Sequence, residues 1–411
     1  MPSFDETLNE RLESLRGQNL FRELRRVDSA QGPRIKIGGK TFLNFSSNDY
    51  LGLASHPALK AAAIKAVEKF GAGAGASRLI CGSLAPFHEL EESLAAFKGT
   101  EAALTFSTGY AAALGTITAL AGKDDVIILD KLVHACIVDA AKLSGAKLRV
   151  FAHNDLNDLE DKLKWAAADS RHSSLGTRHV LIITESIFSM DGDRAPLREI
   201  VALKEKYGAW LMVDEAHATG IIGENGRGLA DELGVSGQIE IQMGTLGKAL
   251  GASGGYICGS RALVDFLVNR ARNFIFSTAP VPAASGAATA GIQLMQSPEG
   301  NTRRDQLWRH VQTVGDDIRS LNFLDSESQR LLTSSPTSKG SAIIPLIIGD
   351  EAKAVAAANA LREQNIFVPA IRYPTVARGA ARLRITLTAA NSAEDVSALA
   401  RALEQIINRK S

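Results

Sequence analysis

Thr245-Leu246-Gly247-Lys248-Ala249-Leu250-Gly251 sets one lysine in a run of small and apolar residues. Such flanks desolvate an ammonium, lower its pKa and suit it to Schiff-base chemistry, whereas an ordinary lysine is a solvated surface charge. Upstream, Trp210-Leu211-Met212-Val213-Asp214 ends an apolar run in a carboxylate, followed by Glu215, Ala216 and His217. An Asp there can bond a pyridinium nitrogen and keep it protonated, which makes the ring an electron sink. Nucleotide-driven helicases also close a strand with Asp-Glu-Ala-His. They need a phosphate loop as well, and no G-x-x-x-x-G-K-[ST] occurs in the chain. Ser107-Thr108-Gly109-Tyr110 reads as a strand running into a helix, whose free N–H groups and dipole would hold a phosphate; a plain N-cap would use the same residues. His134, beyond the apolar run ending at Leu129-Asp130, offers an imidazole to stack on a flat ring, or a satisfied structural histidine. Gly71-Ala72-Gly73-Ala74-Gly75-Ala76 matches a dinucleotide fingerprint only in letters. It follows a helical pattern, Pro57 to Phe70, rather than a strand, and no strand-terminal acidic residue stands about 20 positions on, so a glycine-rich or simply flexible loop is expected.

These residues need a scaffold that brings strand ends together. From about residue 100, short Val, Ile and Leu-rich runs alternate with helical stretches, which is βα periodicity. The expected strands are Ala102–Phe106, Val126–Leu129, Leu148–Phe151, Val180–Thr184, Trp210–Val213, Ile239–Gly244 and Gly255–Cys258. Seven such strands, several apolar on both faces, predict an α/β fold with one large, mostly parallel sheet covered by helices. Ligands of such sheets gather at the carboxyl ends of the strands, where the lysine, the carboxylate and the histidine all fall. After Pro280 and Pro282 the register changes. Two long helical patterns and strands at Ser341–Ile347, Ile366–Pro369 and Arg382–Leu387 predict a smaller α+β domain. The resulting division is an N-terminal arm and hairpin over residues 1–45, a large domain over 46–282 and a small one over 283–411.

The 411 residues, 45% hydrophobic, suffice for two cores. Forty-six basic against 45 acidic residues leave a net charge of +1, which gives no electrostatic case for nucleic acid or a membrane surface. Cys81, Cys136 and Cys258 are few and odd in number, as expected of a reducing compartment rather than a disulfide framework or a metal site, so the cytoplasm is expected. The acidic first segment reads as neither signal nor transit peptide.

Eight motifs in order, LNFSSNDYLGL (43–53), GAGASRLICG (73–82), HELE (88–91), STGYAAA, HA (134–135), SIFSMDGD (186–193), VDEAHATG (213–220) and TLGKALG, resemble the α-oxoamine synthases. These are pyridoxal-phosphate enzymes of the aspartate-aminotransferase fold, fold type I. The resemblance implies pyridoxal phosphate carried on Lys248, which also serves as the proton-transfer base. It further implies Asp214 on the pyridine nitrogen, His134 stacked on the ring, His217 on the ring hydroxyl oxygen and Ser189 beside the cofactor. Gly109, Tyr110 and Thr245 would hold the phosphate. The family is a homodimer with shared active sites, and Ser277 and Thr278 resemble residues lent to the partner's phosphate. Arg384 would grip the amino-acid carboxylate through a bidentate guanidinium. Asn48, Ser77 and Thr375, inside matching segments, would line the substrate space. Arg22 resembles an acyl-substrate arginine, with a solvated helix face as the alternative.

The segments Pro369–Val376 and Ala381–Ala390, with Ser77-Arg78, resemble the biotin-pathway branch, although Tyr373 stands where some members have Pro and Cys136 where Ser is usual. That branch implies L-alanine and pimeloyl-CoA, or the pimeloyl thioester of an acyl carrier protein, as substrates. A sister synthase using glycine is the alternative.

Overall fold

The computed structural model describes residues 1–170, 179–320 and 340–408. They form two compact units, Asn48–Ser189 with Asp193–Asp305, and Met1–Ser47 with Met190–Gly192 and Gln306–Ser411. Strands are numbered along the chain. A hairpin, β1 (Arg34–Ile37) and β2 (Lys40–Asn44), precedes β3 (Ala102–Phe106), β4 (Val126–Asp130), β5 (Lys147–Phe151), β6 (Val180–Glu185), β7 (Trp210–Asp214), β8 (Ile241–Thr245) and β9 (Gly255–Gly259). The last four are β10 (Ile343–Gly349), β11 (Ile366–Phe367), β12 (Ala370–Ile371) and β13 (Ala381–Thr386).

The larger unit holds a seven-stranded sheet in the order β3-β9-β8-β7-β6-β4-β5. Only β9 runs against its neighbours; β4 to β8 pair in parallel. Every residue of β3, β4 and β9 is buried, because helices lie on both faces. Fully buried side chains such as Ile127, Ile182, Leu211 and Ile257 each stabilise the sheet by roughly 1.5–3 kcal/mol. The chain turns sharply back into β7 at Gly208, whose φ of 65° lets Ala209 N–H bond back to Lys204 O at 2.9 Å.

All seven expected strands of the large sheet are present. Five run one residue further than expected, to Asp130, Glu185, Asp214, Thr245 and Gly259, because ladder hydrogen bonds rather than side-chain polarity end a strand. β8 begins at Ile241 rather than Ile239, since Ser236–Gln238 forms a 3₁₀ turn that takes the Ile239 N–H at 3.3 Å.

In the smaller unit β10-β13-β12 forms one sheet and β1-β2-β11 another. The single strand expected over 366–369 is two: β11 pairs with β2 and β12 with β13, with Pro369, which lacks an N–H, between them. Beyond residue 281 there are four helices among the described residues, not two: Pro282–Met295, Pro298–Ser320, Glu351–Glu363 and Ala393–Asn408. Pro298 restarts the second of them after the first has ended. No helix of the described residues is long and apolar enough to cross a membrane.

Candidate active site

The segments that follow β3, β4, β6 and β8 carry Gly109, His134, Ser189 and Lys248, and Asp214 is the last residue of β7. The start of the antiparallel β9 sits at the same edge, with Gly255 opposite both Phe106 and Thr245. A Cβ on Gly255 would stand 2.6 Å from Gly109 N and 2.5 Å from Thr108 O. Only a glycine lets the helix Gly109–Leu120 begin this close to the sheet. Thr108 caps that helix, its hydroxyl accepting from Ala111 N–H at 2.9 Å, and the amides of its first turn point outward for an anion. Thr245 is its neighbour: Thr245 Cβ would lie 3.7 Å from a Cβ on Gly109. The Tyr110 hydroxyl donates to Asp139 at 2.6 Å.

At the centre, Lys248 Nζ is 2.7 Å from His217 Nε2, and the buried Tyr50 hydroxyl is 2.5 Å from His217 Nδ1. The Asn48 side-chain oxygen lies 3.5 Å from the same hydroxyl. Burial pushes the Asp214 carboxyl above its ordinary range; Lys248, the Ala216 N–H and His134 pull it back, while Glu215 adds to the rise. A ring N–H⁺ placed beside this desolvated carboxyl would favour its ionised form. Glu185, opposite Asp214 on β6, is pushed well above the carboxylate range by burial and then by the Asp214 charge, against the pull of Lys248 and of the His134 and Ser189 amides that bond to it. His134 is exposed as a residue; partial burial lowers its pKa, with Asp214 raising it and Lys248 lowering it. The donor set of anion seat, carboxylate and amine fits pyridoxal phosphate: free amides at Gly109 and Tyr110, Asp214 for the ring nitrogen, Lys248 for the carbonyl.

Lys248, His217, Asp214, His134, Thr245, Gly109, Tyr110, Ser189 and Asn48 thus sit on one edge of the larger unit. Ser77 pairs with Thr278 in an isolated bridge, which brings it beside the exposed Ser277 on the same unit. Arg22, Thr375 and Arg384 belong to the smaller unit. Arg22 Nη2 donates to Tyr373 O at 3.2 Å, and Thr375 N–H to Arg372 O at 3.0 Å, so the arm meets the segment 372–375. Arg384 is buried on β13, the middle strand of its sheet, and its Nη1 donates to Thr386 Oγ1 at 2.8 Å.

Three residues of the site were not singled out from sequence. Tyr50 lay inside the motif LNFSSNDYLGL, and its aromatic hydroxyl was the available signal. Glu185 follows the apolar letters of β6 as Asp214 follows those of β7. Lys98 gave none: it reaches Glu215 at 2.5 Å and Arg227 O from the end of the helix Ala85–Lys98.

The family model described as aminotransferase class I and II matches residues 40–403. The chain is 46% identical over 397 residues to an 8-amino-7-oxononanoate synthase of Geobacter sulfurreducens, covering 96% of each. It is 47% identical over 400 residues to one of Anaeromyxobacter, covering 97% and 95%. Among solved structures it is similar to a serine palmitoyltransferase from S. paucimobilis with PLP and myriocin bound, at TM-score 0.87 and 28% identity over 98% and 97% of the chains. An 8-amino-7-oxononanoate synthase from Francisella tularensis matches at TM-score 0.72 and 28% identity over 90% and 98%.

Proposed function

The chain belongs to the aminotransferase class I and II family, and from that membership we propose that it joins L-alanine to a pimeloyl thioester. Carbon dioxide and the free thiol leave, and the product is 8-amino-7-oxononanoate, an intermediate of biotin synthesis. The observation that carries the chemistry is the Lys248 amine, 2.7 Å from His217 and close enough to Asp214 for its charge to oppose the rise that burial imposes on that carboxyl.

When bound, pyridoxal phosphate supplies the electron sink that makes the alanine Cα–H acidic and lets the carboxylate leave as carbon dioxide. Lys248 would hold the cofactor, and its amine would take the proton from the alanine Cα and return one to the same carbon. Asp214 would keep the ring nitrogen protonated. His217, fixed by Tyr50, would bond the ring hydroxyl oxygen, with Ser189 nearby, and His134 would pack on the ring. Gly109, Tyr110 and Thr245 seat the phosphate, and Arg384 binds the alanine carboxylate. Asn48, Ser77 and Thr375 line the space for substrate, with Arg22 on the acyl chain.

We also assign a homodimer in which Ser277 and Thr278 serve the partner's phosphate. The support is the exposure of Leu79, Ile80, Phe276 and Val281 on the two segments joined by the Ser77–Thr278 bridge, an apolar surface suited to a second copy. The compartment is the cytoplasm, where thiols stay reduced.

The test is thiol release from pimeloyl-CoA by the cofactor-loaded protein. Release that depends on L-alanine supports the reading. Release only with glycine and another acyl thioester keeps the family and moves the chain to a sister synthase.

A further inference from the structure

His153, at the turn after β5, is outside the reaction just described, yet both its ring nitrogens are taken by carboxylates. Nδ1 lies 2.9 Å from Asp130 Oδ1 and Nε2 lies 2.7 Å from Asp193 Oδ2. The two carboxylates belong to different loops. Asp130 ends β4 and accepts from Leu132 N–H at 2.8 Å and from Asn154 N–H at 2.9 Å, which fixes the turn leading to His134. Asp193 ends the loop that follows β6: its carbonyl accepts from Phe188 N–H at 3.1 Å, Ala195 N–H returns to Ser186 O at 3.0 Å, and Ile187 bridges to Arg194. Ser189 is in that loop. The Phe188 ring meets the imidazole edge-on at 4.3 Å. On the inner side the amides of His134 and Ser189 both bond to the Glu185 carboxyl. The two loops are therefore joined twice, by Glu185 within and by His153 without.

We propose that His153, bridging Asp130 and Asp193, is a positioning residue that sets the spacing between the loops presenting His134 and Ser189 to the cofactor. The inference rests on the assignment of those two residues above. A ring with a carboxylate on each nitrogen must carry a proton on both, because a neutral ring turns a lone pair on one of them. Burial alone would lower its pKa; the hydrogen bonds and charges of Asp130 and Asp193 outweigh it and raise it to about 10. These are the titratable groups that face it. Of its neighbours, Arg194 is paired with Glu232 at 2.7 Å, and Asp158 with Lys162 and the Ala152 N–H. Asp193 Oδ1 is buried without a partner among the described residues, so His153 and the Asn154 amide, at 3.0 Å, are what its carboxylate has.

The test uses the cofactor-loaded protein and the circular dichroism of its visible band, which reports how the ring is held, between pH 6 and 9. The wild-type signal stays constant, since the bridge is charged throughout. Asp193→Asn keeps an acceptor for the ring N–H but removes one charge, bringing the imidazole back toward its ordinary pKa of about 6.5. Its dichroism then acquires an inflection in this range, and kcat falls on the high-pH side by on the order of 10²-fold with KM for alanine little changed. His153→Gln, which does not titrate, lowers kcat at every pH with no inflection. A purely structural bridge gives another pattern: the melting temperature of the cofactor-free variants falls while the dichroism and kcat of the same variants loaded with cofactor overlay the wild type, which overturns the proposal. His134→Ala tests the underlying assignment; an unaltered cofactor band there removes that assignment and this proposal with it.

Discussion

Tyr50 and His217 stand 167 positions apart in the chain, and the Tyr50 hydroxyl is 2.5 Å from His217 Nδ1. The other imidazole nitrogen is thereby turned to Lys248. The chain solves an orientation problem this way, since an imidazole free to rotate would meet Lys248 only part of the time. Tyr50→Phe removes the bond and leaves a buried ring nitrogen without it, at a cost of about 1–3 kcal/mol. The expected result is a lower melting temperature and a several-fold loss of kcat, with cofactor still bound. Kinetics equal to the wild type would remove His217 orientation as the function of Tyr50.

Behind the same turn, the Lys98 and Glu215 side chains are 2% and 1% exposed and 2.5 Å apart. Glu215 Oε1 also accepts from Ala230 N–H at 3.0 Å, and a Cβ on Gly228 would stand 2.3 Å from Glu215 Oε2. Lys98→Met strands a buried carboxylate and is expected to destabilise the protein by roughly 3–5 kcal/mol. Urea unfolding followed by far-UV dichroism measures this. A loss below about 1 kcal/mol, the range of exposed pairs, would mean that water reaches the pair.

The large sheet was legible because β3 to β9 are short apolar runs, and the chemistry was legible because it falls just past those runs. What escaped was the backing. Lys98 closes a helix that also carries Glu89, Glu91 and Glu92, and nothing local says that it and Glu91 turn inward while the other two stay out. Asp130 and Asp193 read as ordinary loop acids until the fold places His153 between them. The strand expected over 366–369 failed for a related reason: β11 and β12 serve different sheets, a choice made by β2 and β13 rather than by their own letters.

The bridge at His153 also predicts how stability depends on pH. A group whose folded pKa is raised, here from 6.5 to about 10, contributes in full below the lower value, and that contribution is lost as pH rises through the higher one. Subtracting the melting curve of His153→Gln from that of the wild type at each pH isolates it. The difference should shrink steadily from about pH 6.5 to pH 10; a difference independent of pH would contradict the charged bridge.

Cysteine labelling gives a further check. Burial pushes the thiols of Cys136 and Cys258 up to about 12, with nearby carboxylates adding to the rise, so at pH 8 roughly one in 10⁴ is a thiolate. Cys81 is exposed. Maleimide mass shifts should show at most one modified thiol in the native protein and three in urea. Two or three native adducts would mean that the helix Ala135–Ser144 or β9 opens far more readily than its burial implies.

Lys248→Ala is the variant on which the whole assignment turns. In the wild type, added pyridoxal phosphate should form the yellow Schiff base, whose visible band survives dialysis because the amine sits 2.7 Å from His217 in a half-buried loop. Alanine at 248 removes the amine but leaves the amides of Gly109 and Tyr110, Thr245 and Asp214 in place, so the cofactor still associates, now reversibly, with the spectrum of a free aldehyde. Thiol release should fall by on the order of 10²–10⁴-fold, the contribution of a positioned proton-transfer group, and external methylamine should restore part of the visible band. An unchanged band in the variant would show that another amine carries the cofactor. Loss of all binding would instead make Lys248 a residue that holds the loop Thr245–Gly251 in shape. The two outcomes separate in a single titration.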